Sequence, residues 1–322
     1  MKTIALLPVR NEAWILENSL ECLSGFCDVI IVSDQNSEDA SREICRRFPK
    51  VVLLESRTAG VCEVGRWSLL DAAREYEGRN LLWCTDADEL ISPAAFNAFR
   101  EARGNELTPG TVLECRFYHL WNRPDRFRDD GSPYSPYWKA FGLVDNRTTD
   151  YDRSPSLPLH QPRVPLGDGQ IVLRSDEIHV LHLQWLLGEI NQIKQAWYRC
   201  KELLDGSSPP EINARYSITL PAPRARTSPV PAEWIAGVRF PQFAAEAEST
   251  WQEREIFQWL ENYGPQYFEP LEMWHIPRLG EYFREHTGRR PKADRSYVPP
   301  LTQRARRLAG RVAKGTRRRL LP

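Results

Sequence analysis

Three acidic side chains fall within four positions, at Asp86, Asp88 and Glu89, in the stretch Trp83-Cys84-Thr85-Asp86-Ala87-Asp88-Glu89. The preceding Leu81-Leu82-Trp83-Cys84 is apolar on both parities, with Gly78 ahead of it and Ser92-Pro93 behind, which predicts a buried strand. Open α/β sheets hold their ligands at the carboxyl ends of such strands. Residues two apart on a strand point to opposite faces, so Asp86 and Asp88 meet one ion only if the chain already turns at Ala87. A turning Asp-x-Asp is a hard-oxygen site suited to Mg²⁺ or Mn²⁺, with positions left open for phosphate oxygens. The structural alternative is three acids that merely solvate a strand end.

The elements that must position these acids alternate in type. Ile4-Ala5-Leu6-Leu7 reads as a first strand stopped by Pro8, and Asn11 as the cap of a helix striped by Leu16, Leu20 and Leu23. Val29-Ile30-Ile31-Val32 is a second strand ending in Ser33-Asp34-Gln35-Asn36-Ser37, with Ser37 capping a helix that reaches about Phe48. Val51–Leu54 is a third strand, Val64–Tyr76 a third helix, and 81–84 the fourth strand. Such a series means βαβ units, a parallel sheet and right-handed crossovers. Polar clusters occupy three strand ends (Pro8–Glu12, Asp34–Ser37 and Asp86–Glu89), as the rim of a nucleotide crevice would require.

A short helix at 94–103 precedes a strand at 111–119, a loop over 121–137 rich in Pro, Asp, Arg and aromatics, and a strand at 138–144. A loop of that length suits a lid. The apolar strand 178–183 leads into a helix over about 186–205, with Ile190, Ile193, Trp197 and Leu204 as its stripe and Gly206 as its stop. Residues 207–231 are proline-rich, and helices over about 243–262 and 279–287 follow. The expected organisation is a catalytic domain at 1–206, a Pro-rich linker and helical region at 207–300, and a basic tail at 301–322.

The 322 residues are 41% hydrophobic and 27% charged, which is globular usage. A formal net charge of zero hides an asymmetry, because Leu301–Pro322 holds eight Lys/Arg and no acid. Seven cysteines without a Cys-x-x-Cys pair read as buried free thiols of a reducing compartment. No stretch approaches the ~18 apolar residues of a membrane span. Thr3–Val9 runs directly into Arg10-Asn11-Glu12, unlike a signal peptide. The expected setting is cytoplasmic, with the tail a candidate for peripheral contact with anionic lipid. Contact with nucleic acid and a plain solvated end are the alternatives for the tail, and no nucleic-acid partner is expected.

Together these residues resemble a family 2 glycosyltransferase of the GT-A, nucleotide-diphospho-sugar type. The matching pieces are Leu7-Pro8-Val9-Arg10-Asn11-Glu12, Asp34-Gln35-Asn36-Ser37-Glu38-Asp39, Arg66, Asp86-Ala87-Asp88 and His182, in the family's order. The match covers the first 200 residues or so, while 207–322 resembles nothing identified. The resemblance implies an α/β fold: a GT-A-like nucleotide-sugar-binding sheet, mostly parallel with helices on both faces, and a helical C-terminal extension. By it, Pro8, Val9 and Glu12 line the base and ribose pocket and Asp34 hydrogen-bonds the base or ribose. Arg66 approaches the acidic cluster and the donor, Asp86 contacts ribose or metal, Asp88 ligates the metal, and His182 contacts the metal or pyrophosphate.

The reaction so implied is metal-dependent (Mn²⁺ or Mg²⁺), inverting transfer of a sugar from a nucleotide-diphosphate donor to a hydroxyl of a glycan or lipid-linked acceptor. Asp125, Asp129, Asp130 and Asp145 are candidates for the general base. Asp130 is favoured because Asp129-Asp130-Gly131 lies in the aromatic loop, where Trp121, Tyr134, Tyr137 and Trp138 offer faces for sugars. Plainer readings compete: a first-turn acid at Glu12, an Asx turn at Asp34, a surface ion pair at Arg66, and His179 in place of His182. The two histidines are three apart and so face opposite ways on a strand. Two rival functions are a sugar nucleotidyltransferase, which lacks support because Pro8–Glu12 holds no glycine, and a non-catalytic sugar-nucleotide-binding scaffold.

Overall fold

A computed structural model describes residues 1–56, 62–153, 162–219, 225–241 and 250–292. They fall in two compact units, one within Met1–Gly188 and Arg224–Ala245, the other within Glu189–Pro223 and Glu246–Pro322.

The first unit is α/β. Strands β1 (Lys2–Val9), β2 (Val29–Gln35), β3 (Val51–Ser56) and β4 (Asn80–Cys84) lie in the order β3-β2-β1-β4, all parallel. Helices α1 (Ala13–Ser24), α2 (Ser41–Arg46) and α3 (Cys62–Arg74) make the crossovers, and α4 (Pro93–Arg103) follows. The strands are apolar on both parities because both faces are covered. Ala5, Leu7 and Val9 pack with α1, α2 and α4, whereas Ile4 and Leu6 pack with Leu69, Leu70 and Ala73 of α3. Six cysteines (22, 27, 45, 84, 115 and 200) are buried free thiols.

Beyond β4 the pairing turns antiparallel. Strand β8 (Tyr137–Val144) pairs β4, and β6 (Thr111–Trp121), β7 (Arg123–Arg128) and β10 (Thr227–Pro229) extend the sheet in that order. Strand β9 (Ile171–His182) runs parallel to β6 and antiparallel to the two-residue β5 (Glu89–Leu90).

Several local expectations are corrected. The stretch expected as a long loop holds β7, and the proline-rich stretch supplies β10. Strand β1 continues through Pro8 to Val9, opposite Ser33 and Asp34. Asn11 does not cap α1. It adopts φ 54°, and its Oδ1 accepts from the backbone N–H of Glu38 at 2.7 Å. Ser37 does not cap α2 either, since its Oγ accepts from the N–H of Asn11 at 2.9 Å. Two neighbouring polar turns thus satisfy each other's backbone groups instead of capping their own helices.

The second unit is helical: α5 (Glu189–Leu204), α6 (Pro209–Tyr216), α7 (Trp251–Tyr263), α8 (Pro265–Phe268) and α9 (Pro277–Thr287). Its core includes Ile193, Trp197, Cys200, Ile256, Leu260 and Phe283. Helix α5 belongs here, although the sequence boundary sits after 206. A Cβ on Gly280 would lie 2.6 Å from the backbone oxygen of Trp274. Gly280→Ala should therefore cost about 1–3 kcal/mol in urea denaturation. Gly104→Ala, with nothing within 4 Å of its Cβ, serves as the neutral control.

No helix among the described residues is long and apolar enough to cross a membrane. The basic tail, 301–322, and the start of the helix expected from about 243 lie outside the described residues.

Candidate functional site

The acidic cluster sits where β4 ends. The N–H of Thr85 still donates to Leu6 O at 3.2 Å, and then the chain turns. Asp86 O accepts from the N–H of Glu89 at 3.2 Å, while the N–H of Asp86 donates to Glu89 Oε2 at 2.9 Å. The turn at Ala87 that a shared Asp-x-Asp site requires is therefore present.

Asp86 is clasped by two guanidinium groups. Its Oδ1 accepts from Arg66 Nη2 at 2.7 Å and its Oδ2 from Arg163 Nη2 at 2.6 Å. Arg163 also pairs with Glu89, and Lys139 Nζ lies 3.9 Å from the other Glu89 oxygen. Burial alone would push the Asp86 carboxyl up, but Arg163, Arg66 and Lys139 together hold it far below the usual carboxylate range. Burial, followed by repulsion from Arg163, brings the Lys139 ammonium down to about 8, against the attraction of Glu89 and Asp86. Burial and then Glu89 push the Tyr137 hydroxyl up to about 12.

Asp88, 6% exposed, faces the end of β9. Its carbonyl accepts from the N–H of Leu183 at 2.9 Å, and its Oδ2 lies 3.2 Å from His182 Nε2. The register explains this meeting, because His182 pairs with Glu89 of β5 on one side and with His119 of β6 on the other. The Nδ1 atoms of His119 and His182 are 2.9 Å apart. Burial, then His182, Lys139 and Arg128, lowers the His119 imidazole well below the ordinary histidine range. His179 takes the opposite strand face, as the three-residue spacing requires, and stacks on Trp234 at 3.8 Å.

Asp34, next to last in β2, lies opposite Val9 and is 1% exposed. Its Oδ2 accepts from Arg42 Nε at 2.6 Å and from the N–H of Ser37 at 3.2 Å. Its Oδ1 is buried with no hydrogen-bond partner among the described residues. A carboxylate oxygen so placed has a strong claim on a donor from elsewhere. Glu12 Oε2 accepts from Trp14 Nε1 at 2.7 Å. Pro8, Val9, Glu12 and Asp34 thus gather at the ends of β1 and β2, and Arg66, Asp86, Asp88 and His182 gather at the end of β4. Strands β2 and β4 flank β1, so the two groups share one rim at strand separations of about 10 Å.

Asp130 lies apart, on the turn after β7. Its carboxylate accepts from Arg128 Nε at 2.8 Å and from the N–H of Ser132 at 3.0 Å. Burial raises this carboxyl, but Ser132 and Arg128 outweigh it and bring it down to about 2. A depressed folded value contributes stability that is present above the unfolded value of about 4 and lost as pH falls through 2. Asp130→Asn should flatten the unfolding midpoint over that window, as followed by tryptophan fluorescence. Arg128 lies over the Trp121 ring at 4.4 Å, and Tyr134 meets His119 edge-on at 5.0 Å, so the Asp130 turn borders the histidine end of the site. The other candidate bases are also engaged: Asp125 by Arg123, Asp129 by Ser228, and Asp145 by Arg74. Trp138 is flanked by Arg116 and Arg174.

Four site neighbours went unread in the sequence: Arg42, His119, Lys139 and Arg163. A polar residue inside an apolar strand run was a usable signal for His119 and Lys139. Arg163, 74 residues from Glu89, carried no local signal.

Among the described residues no group of three or more His, Cys, Asp or Glu is arranged to hold a metal ion. Asp88 and His182 nevertheless fit one as a pair, offering an oxygen and a nitrogen at 3.2 Å, whereas both Asp86 oxygens already accept from arginine.

No protein-family model matches the chain, and no curated protein matches it. Among solved structures the chain is similar, at low identity, to the following. S. aureus TarS 1–349 in complex with UDP-GlcNAc is 18% identical, with 38% of this chain and 36% of that chain covered and a TM-score of 0.31. The mannosyltransferase PcManGT from Pyrobaculum calidifontis, in complex with GDP-Man and Mn²⁺, is 16% identical over 68% of this chain and 70% of that chain, at a TM-score of 0.40. GalNAc-T7 with UDP, GalNAc and Mn²⁺ is 12% identical over 57% and 44%, at 0.37. The chain spans little more than a third of that TarS fragment, and at these TM-scores the functional weight lies with the residues of the site.

Proposed function

We propose that this chain is a glycosyltransferase that moves a sugar from a nucleotide-diphosphate donor to a hydroxyl acceptor. The observation that carries the reading is the sharing of one sheet rim by Asp34, whose buried Oδ1 has no partner among the described residues, and the Asp86/Asp88/His182 group. Pro8, Val9 and Glu12 would line the base and ribose, and Asp34 Oδ1 would accept a hydrogen bond from one of them. Arg66 and Arg163 place guanidinium charge beside Asp86, where it would attract the donor diphosphate. With Lys139 they form a cationic wall in a buried setting, where preorganised charge stabilises a departing diphosphate more strongly than water does. Asp88 and His182 are the residues that would hold a divalent cation, and the mixed oxygen and nitrogen set suits Mn²⁺ better than Mg²⁺. That ion would supply Lewis-acid stabilisation of the leaving group.

Transfer with inversion needs one base on the acceptor side of the sugar. Asp130 is the proposed base. At neutral pH it is ionised but weakly basic, and it must leave Arg128 to act. The proposed acceptor is a hydroxyl of a glycan or lipid-linked saccharide, with peripheral membrane contact through residues 301–322.

Thermal unfolding with UDP-, GDP-, dTDP- and CMP-sugars, with and without Mn²⁺, tests the donor reading. One nucleotide class at a hundred times its Kd should stabilise the protein by about 2.7 kcal/mol. Absence of a shift with every donor overturns the proposal.

A further inference from the structure

The transfer reading leaves His119 without a task. This imidazole, 5% exposed, stands opposite His182 in the β6–β9 register, with the two Nδ1 atoms 2.9 Å apart. At that distance one ring donates and the other accepts. The remaining His182 nitrogen, Nε2, lies 3.2 Å from Asp88 Oδ2. Phe117 stacks on His182 at 5.1 Å and meets His119 edge-on at 4.8 Å, so both rings are held in place.

Two proton placements satisfy this geometry with one proton on each ring. In the first, His182 Nε2–H donates to Asp88, and His182 Nδ1 accepts from His119 Nδ1–H. In the second, His182 Nδ1–H donates to His119 Nδ1, the His119 proton sits on its own Nε2, and His182 Nε2 turns a lone pair toward Asp88. Only the second lets His182 and Asp88 converge on a cation, because a protonated nitrogen does not ligate. With no cation, the second sets a lone pair against a carboxylate, and the first is favoured.

We infer that His119 is a positioning residue that sets the His182 tautomer, the two rings exchanging tautomers together when a divalent cation takes Asp88 and His182. This rests on the metal part of the function proposed above. The pair gains and loses no proton in the exchange. A residue at 119 unable to accept would leave the His182 Nδ1–H as a buried, unsatisfied donor in the cation-bound state.

The test uses the full chain. Mn²⁺ binding is read from the free-ion electron paramagnetic resonance signal for the native protein, His119→Phe and His119→Asn. An asparagine amide stands near the place of Nδ1 and either donates or accepts by flipping. His119→Phe should weaken Mn²⁺ binding about 10–100-fold, and His119→Asn should restore most of it. Ring ¹⁵N spectra of the native protein should show His182 protonated at Nε2 without metal and at Nδ1 with Zn²⁺, a diamagnetic probe. Equal Mn²⁺ affinity in folded His119→Phe, or the same protonated nitrogen with and without Zn²⁺, overturns the inference while leaving the metal site intact. A native protein that binds neither ion overturns the metal reading itself. Should His119→Phe fail to fold, the native ring spectra alone decide.

Discussion

Arg163→Ala should lower the unfolding free energy of the α/β unit by about 3–5 kcal/mol, the range for breaking a buried ion pair by removing one partner. The Glu89 side chain is 1% exposed and accepts from Thr85 Oγ1 and the N–H of Asp86 as well as pairing with Arg163. Without the guanidinium, the nearest cation to Glu89 is Lys139 at 3.9 Å, while Asp86 retains Arg66. Two carboxylates one turn apart would then repel each other with a single close arginine between them. Glu89→Gln in the Arg163→Ala background keeps an acceptor for the Asp86 N–H and removes the uncompensated charge. The double variant should therefore recover a substantial part of the loss in urea denaturation. Arg163→Lys should fall between native and alanine, since a single ammonium cannot serve two carboxylates as the guanidinium fork does. A loss below about 1 kcal/mol for Arg163→Ala, the range of a surface pair, would refute this account.

The parts legible in the sequence were those dictated by nearest neighbours along the chain. Strands β1 to β4 could be read because two covered faces demand apolar residues on both parities, and the turn at Ala87 because two acids must otherwise diverge. Local rules failed where a residue's partner lies elsewhere. Asn11 and Ser37 are good capping residues by type, yet they bond to each other's turns across 26 positions of chain. Arg123-Pro124-Asp125-Arg126-Phe127-Arg128 looks like a loop because only Phe127 and Arg128 are buried, but pairing with β6 and β10 makes it a strand. The apolar stripe of α5 reads the same whichever core it serves, so the sequence alone could not assign it to the helical unit. The acids at the end of β4 were visible for the first reason, and Arg163 was hidden for the second.

On the proposed function, Asp88→Ala should lower donor hydrolysis or transfer by about 10²–10³-fold or more while leaving the fold in place. The turn should survive, because Asp88 is tied to β9 through its carbonyl and the Leu183 N–H, a contact the substitution does not touch. His182 would keep His119 as a partner while losing the carboxylate that faces its Nε2. Asp88→Asn retains the shape and a hydrogen-bonding group but not the charge, and should lose activity nearly as severely if charge is what the donor diphosphate and its cation require. Asp34→Ala provides the contrast. It removes the acceptor at the β2 end of the rim, about 10 Å away by strand spacing, and on the proposed function should weaken nucleotide binding more than it slows the bound donor's turnover. A scaffold that only binds sugar nucleotides predicts a different pair of results: no hydrolysis in the native protein, and nucleotide-induced stabilisation in Asp88→Ala equal to native. Donor hydrolysis measured beside thermal stabilisation separates the two, because chemistry at Asp88 changes the first far more than the second.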